Sequence, residues 1–367
     1  MTAPLIDIIA GARPNFMKIA PIIHAIRARQ AEGSALRFRL VHTGQHYDEK
    51  MSGEFFRQLE IPPPDVNLEV GSGTAAEQTG EIMRRYEKLL LEQRSDLCLV
   101  VGDVTSTMAC AIAAQKLGVK VAHVEAGIRS GDWSMPEEIN RMVTDAITNW
   151  FFTTSETANT NLRQSGVEES RIFFVGNTMI DTLLANLPKL RQPACWIELG
   201  LTPKSYVVLT LHRPANVDDA ENLQALLHAV SQACAGLAVV FPVHPRTRSV
   251  LSKLPALPDN LHPLDPQPYL EFIHLVRDAL AVVTDSGGIT EEATLLDVPC
   301  LTLRANTERP ETVELGTNEL LGTDPQAIAP AMERVRSGQW KHGTTPPLWD
   351  GKTACRIVAH IEHLFEH

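Results

Sequence analysis

Short apolar runs alternate with helix-spaced stretches along this chain, and the series breaks once and restarts. Residues 5–10, 38–42, 97–101, 119–124, 150–153 and 172–175 read as strands, with helices near 15–29 and 75–92. Their near-continuous apolar character is that of parallel strands covered on both faces. A Pro-bearing stretch, 187–203, interrupts the rhythm. Strands at 206–211, 237–242, 279–284 and 300–303 follow, with helices near 221–235 and 289–296. The pattern predicts α/β class, with two Rossmann-like doubly wound domains facing across a cleft. Their expected bounds are 1–186 and 187–351, with a terminal helix in 352–367 packing back on the first domain.

A chain of 367 residues is long enough for two cores. Its net charge of −11 argues against a nucleic-acid or anionic-membrane partner. The six cysteines are scattered without a CxxC pair, as expected of reduced core thiols in the cytosol. No basic leader with a cleavage site opens the sequence, and no apolar run reaches membrane-spanning length. The expectation is a soluble cytoplasmic enzyme.

Three carboxylates stand at element ends. Asp103 and Glu125 follow the strands at 97–101 and 119–124, each with a Gly nearby, and Glu137 follows Pro136 at a helix start. Ligands of open α/β sheets bind outside the strands' carboxyl ends, so these acids are expected to line a crevice and move protons.

Thr284-Asp285-Ser286-Gly287-Gly288-Ile289 sits at a strand-to-helix junction. Ser286, Gly287 and Gly288 would let backbone amides approach an anion at the helix start; a tight turn without ligand is the plainer reading. Glu292, further along, is placed either to accept from a ribose diol or as an exposed helix carboxylate. Arg13 follows the first strand, with Lys18 beyond it, and Arg309 follows a later one; each is a phosphate contact or a solvated cation. His212 and His244 both end strands, in Leu-His-Arg-Pro and Val-His-Pro contexts. One such His is more often a structural hydrogen-bonder, and two at strand ends favour chemistry.

The blocks GARPNFMKIAPI, TGQHYDEKMS, VVGDVTST, HVEAGIRSGDWSMPEEINR, VGNTMIDTL, LTLHRPANVDD, FPVHPR, DSGGITEEA and TERPET occur in that order across about residues 9–324. Together they resemble the non-hydrolysing UDP-N-acetylglucosamine 2-epimerases. The resemblance implies a GT-B-like two-domain fold, a homodimer, a UDP-sugar substrate, and no metal or other cofactor. It implies catalytic roles for Asp103, Glu125, Glu137 and His212. UDP-sugar binding is implied for Arg13, Lys18, Ser286, Gly287, Gly288, Glu292 and Arg309, while Arg141 would orient the acids or meet the diphosphate. Gln45, Glu138 and His244 match positions of a second, activating sugar-nucleotide site in some members. Asp48 and Pro214 depart from that pattern, which argues against activation by substrate. The first block also reads GARPN where many members have GTRPE.

The implied reaction is reversible C2 epimerisation of UDP-N-acetylglucosamine to UDP-N-acetylmannosamine, through loss of UDP to a 2-acetamidoglucal and re-addition. The same blocks resemble members acting on a diacetamido uronic acid nucleotide. A UDP-sugar-dependent glycosyltransferase and a UDP-sugar-binding regulator are further alternatives.

Overall fold

The protein, a computed structural model, is described over residues 3–44 and 56–366, with Arg13 described by its backbone alone. It divides into two compact units, Met1–Leu184 with Pro347–His367, and Ala185–Pro346.

Among the described residues the first unit has seven strands: β1 Leu5–Ala10, β2 Arg37–His42, β3 Val66–Asn67, β4 Leu97–Val101, β5 Lys120–Val124, β6 Trp150–Thr153 and β7 Ile172–Phe174. All pair in parallel, in the order β3-β2-β1-β4-β5-β6-β7. The order reverses between β1 and β4, and such a reversal opens a crevice at the strands' carboxyl ends. Five-residue β4 is buried throughout, as its unbroken Leu-Cys-Leu-Val-Val run requires. On one face it meets Ile82, Tyr86 and Leu90 of the helix Ala75–Glu92 and the small residues Ala109, Ala113 and Ala114 of the helix Thr105–Lys116.

One residue breaks the apolar rule inside β1. Asp7 is fully buried, and the parallel register sets it directly beside Arg39 of β2. The two form a bidentate pair at 2.7 and 2.8 Å, and the Tyr86 hydroxyl donates to the same carboxylate at 2.9 Å. A charge this deep survives only with its partners in place.

The chain ends within the first unit. Asp181 accepts from the amides of Thr353 and Ala354 at 3.1 and 2.7 Å, satisfying the start of the helix Thr353–Phe365. Ala354, Ile357, Val358 and Ile361 form that helix's buried face. Gly176, at φ 102°, leaves room for the returning backbone, because a Cβ there would stand 2.3 Å from the Leu348 carbonyl oxygen.

The second unit repeats the design with β8 Tyr206–Thr210, β9 Ala238–Pro242, β10 Leu261–Leu264, β11 Ala281–Thr284, β12 Cys300–Thr302 and β13 Asn318–Leu320. They pair in parallel in the order β10-β9-β8-β11-β12-β13, reversing between β8 and β11. Each unit is therefore Rossmann-like and doubly wound.

Replacing Asp7 by Ala strands the Arg39 guanidinium. Chemical denaturation of Asp7→Ala should show a loss of about 3–5 kcal/mol, the cost of breaking a buried pair on one side.

Candidate active site

At the first unit's reversal, β4 is followed by Gly102, whose φ of 67° turns the chain into Asp103 and the helix Thr105–Lys116. A Cβ at Gly102 would also come close to Lys18 Nζ, at 3.0 Å. Lys18, on the helix Arg13–Ala31, pairs with Glu125 Oε2 at 2.6 Å, and both groups are largely buried. Glu125 itself holds φ 66°, a left-handed backbone that costs a non-glycine residue energy and marks a functional or strained position.

Asp103 is half-buried and ion-paired with Arg141, while its carbonyl accepts from Asn140 Nδ2 at 2.8 Å. Both partners lie on the helix Pro136–Ile147, which thus grips Asp103 by side chain and backbone. Arg141 is positioned in turn by Glu138 at 2.8 Å. Glu138 is buried and accepts from Ser130 N, Ser130 Oγ and Gly131 N at 2.9 to 3.0 Å. Burial works to raise its carboxyl, yet those donors outweigh it and hold the pKa below the ordinary range. Glu137 is exposed in the same helix's first turn.

The second unit's reversal brings His212 and Asp285 together. His212 Nδ1 lies 2.9 Å from Asp285 Oδ1, leaving Nε2 as the nitrogen available to a ligand. Asp285 is fully buried and also accepts from the amides of His212 and Arg213 and from Asn216 Nδ2, at 2.9 to 3.1 Å. Burial pushes its carboxyl up, but His212 and these donors bring the pKa below the ordinary value. The His244 ring centroid is 5.8 Å from that of His212, and its Nδ1 accepts from Arg246 N at 3.2 Å.

Ser286 precedes the helix Gly287–Leu295 without capping it by its side chain. A Cβ at Gly288 would meet nothing within 4 Å, and one at Gly287 would meet only the Arg304 and Glu308 side-chain tips at 3.8 and 3.9 Å. Neither glycine is demanded by packing, and the space beside this helix start is open. Glu292 is 4% exposed, which removes the exposed-carboxylate reading. Burial pushes its carboxyl up to about 8, against the opposing effect of the Tyr269 hydroxyl. Arg309 is also buried, with Nε 2.5 Å from Glu291 Oε1. Glu311 nearby is pushed up to about 7 by burial.

The first unit thus groups Lys18 with Glu125 and Arg141 with Asp103 and Glu138, and the second groups His212 with His244. Gln45 and Asp48 lie outside the described residues, as does the side chain of Arg13. Asn15, where the first block departs from its usual Glu, is buried and structural: its Oδ1 accepts from Gly11 N and Ala12 N, and its Nδ2 donates to Val101 O at 3.0 Å. That side chain ties the end of β1 to the end of β4. Sequence reasoning singled out neither Asn15 nor Asp285, nor the buried His123–Asp145 pair at 2.8 Å. The signal for His123 was a polar ring inside the apolar run Val-Ala-His-Val, which needs a buried partner. Among the described residues, no helix is long and apolar enough to cross a membrane.

Two doubly wound units, one with cation-paired acids and one with a glycine-bearing helix start at its rim, define an α/β protein of the nucleotide-handling kind. The family model described as UDP-N-acetylglucosamine 2-epimerase matches residues 28–362. The UDP-N-acetylglucosamine 2-epimerase of Methanocaldococcus jannaschii is 41% identical, covering 96% of this chain and 97% of the relative. A UDP-2,3-diacetamido-2,3-dideoxy-D-glucuronate 2-epimerase of Pseudomonas aeruginosa is 40% identical, covering 97% and 99%. The crystal structure of the Methanocaldococcus jannaschii UDP-GlcNAc 2-epimerase in complex with UDP-GlcNAc and UDP superposes with a TM-score of 0.87 at 40% identity, covering 98% of this chain and 99% of that one. The chain belongs to the UDP-N-acetylglucosamine 2-epimerase family.

Asp285→Asn should lower turnover by about 10²-fold, because an amide offers one accepting oxygen in place of two and no negative charge to the His212 ring. Steady-state kinetics beside a circular dichroism spectrum tests this. Glu292 supplies a pH signature. Its folded pKa of about 8 lies above the unfolded value, so its share of stability is full below pH 4.5 and is lost as pH rises through about 8. Denaturation at pH 5 and pH 8.5 should show a drop in the native protein that Glu292→Gln reduces.

Proposed function

We propose that this protein interconverts UDP-N-acetylglucosamine and UDP-N-acetylmannosamine by inversion at C2, acting in the cytoplasm as a homodimer. Family membership over nearly the whole chain, with intact acids at the first unit's rim, supports this reading above all.

The C2 proton of an N-acetylhexosamine is acidified by no carbonyl. Breaking the C1–O bond first sends the bonding pair to UDP and leaves an oxocarbenium ion, whose C2 proton is acidic. Its removal gives a 2-acetamidoglucal; UDP then adds back at C1 as a proton is delivered to the other face of C2. Asp103, Glu125 and Glu137 are the proposed proton handlers, since opposite faces call for separate groups. Carboxylates, here paired with Lys18 and Arg141, also favour positive charge at C1. Departing UDP needs donors. The Ser286, Gly287 and Gly288 amides, Arg13, Arg309 and the Nε2 side of His212 are assigned to it. Glu292, neutral below about pH 8, is assigned to the ribose. Glu138 is assigned to hold Arg141, and His244 to flank His212.

A second substrate is favoured by one observation: the diacetamido-glucuronate 2-epimerase is about as similar as the N-acetylglucosamine enzyme. The same chemistry would serve it, with a carboxylate at C6.

Incubation with UDP-N-acetylglucosamine in D₂O, without acceptor, should give the manno epimer with deuterium at C2. UDP release only on adding an acceptor sugar would make the protein a transferase instead, and faster exchange of the diacetamido uronate would reassign the substrate. Asp103→Asn, Glu125→Gln, Glu137→Gln and His212→Asn should each lose about 10²–10⁴ in rate while UDP still binds. Near-wild-type turnover removes that residue from the assignment.

A further inference from the structure

His123 lies on β5 two residues before Glu125 and is fully buried. Its Nδ1 is 2.8 Å from Asp145 Oδ1, and its Nε2 is 2.8 Å from the Gly102 carbonyl oxygen. A backbone carbonyl can only accept, so Nε2 donates to Gly102, and Nδ1 faces the Asp145 carboxylate. Asp145 anchors more than this ring. It also accepts from Gly127 N at 3.1 Å and from Arg129 at 2.6 Å. Burial works to raise the Asp145 carboxyl, and His123 with Arg129 outweighs it, holding the group below the ordinary carboxylate range.

What this cluster holds is specific. The Gly102 carbonyl belongs to the peptide plane that leads into Asp103, and fixing a rigid plane fixes the direction in which Asp103 leaves it. Gly127 lies two residues past Glu125, and Gly102, Glu125 and Gly127 all hold positive φ, at 67°, 66° and 77°. Gly127 tolerates no side chain, because a Cβ there would come 2.4 Å from the Ala158 carbonyl oxygen. The turn after β4 and the turn after β5 are thus tied through one ring, with Gly102 N also donating to Val124 O at 3.0 Å. A left-handed non-glycine such as Glu125 persists only where its surroundings over-determine it.

We propose that His123, braced by Asp145, is a positioning residue that sets the separation and aim of Asp103 and Glu125. The inference rests on the reading of those two acids as proton handlers. His123 itself, buried behind both turns, touches no substrate.

Two amide replacements divide the ring's contacts. His123→Gln can still donate to the Gly102 carbonyl but loses Asp145; His123→Asn can still donate to Asp145 but loses Gly102. His123→Asn should lower kcat by about 10²-fold, the scale of a ~1 Å misplacement, with KM and UDP affinity within about threefold of wild type. His123→Gln should recover most of that kcat. Wild-type kcat in His123→Asn overturns the proposal. So does a parallel loss of kcat, UDP affinity and melting temperature in both variants, which would mean a merely structural ring. If His123→Asn does not fold, Asp145→Asn decides: lowered kcat with unchanged UDP affinity supports the proposal, and unchanged kcat overturns it. Wild-type protein that fails to exchange C2 hydrogen in D₂O refutes the functional reading itself, whereas wild-type exchange with an unaffected His123→Asn refutes only this inference.

Discussion

A carboxylate at the end of a buried parallel strand has lost much of its water, and the penalty of several kcal/mol must be met by a cation, by hydrogen-bond donors or by a proton. The acids of both rims divide among these three solutions. Glu125 and Asp103 have cations, Lys18 and Arg141. Asp285 has His212 and a set of amide donors. Glu292 and Glu311 take the proton, with pKa values near 8 and 7.

That division shapes the chemistry each rim can perform. A carboxylate beside a cation can receive a proton and face positive charge. Acids kept neutral can donate hydrogen bonds, and a dyad such as His212–Asp285 fixes which imidazole nitrogen is offered. At the first rim the cations are therefore part of how the acids are held in place.

How much was legible follows from burial. The central strands Leu5–Ala10, Leu97–Val101 and Trp150–Thr153 stand at the residues their apolar runs mark, because strands covered on both faces are apolar almost throughout. The edge strands Val66–Asn67, Leu261–Leu264 and Asn318–Leu320 escaped, being short and partly exposed. Pro263 further disguises Leu261–Leu264 and is tolerated only because that strand is an edge. Asp103, Glu125 and His212 were found by their position after strands. Asp145 was not, since its partner lies 22 residues away in sequence and nothing local announces the pairing.

The sequence alone determined the class of fold, the strand ends where polar groups gather, and membership in a family, because apolar periodicity and ordered motifs are local or collinear properties. Tertiary structure decided which of those groups are charged and how they are aimed. Glu292 and Glu311 become weak acids, Arg309 is committed to Glu291, and His123 joins two distant turns. Desolvation and directional hydrogen bonds depend on atoms a few ångströms apart in space, and no reading along the chain supplies those distances.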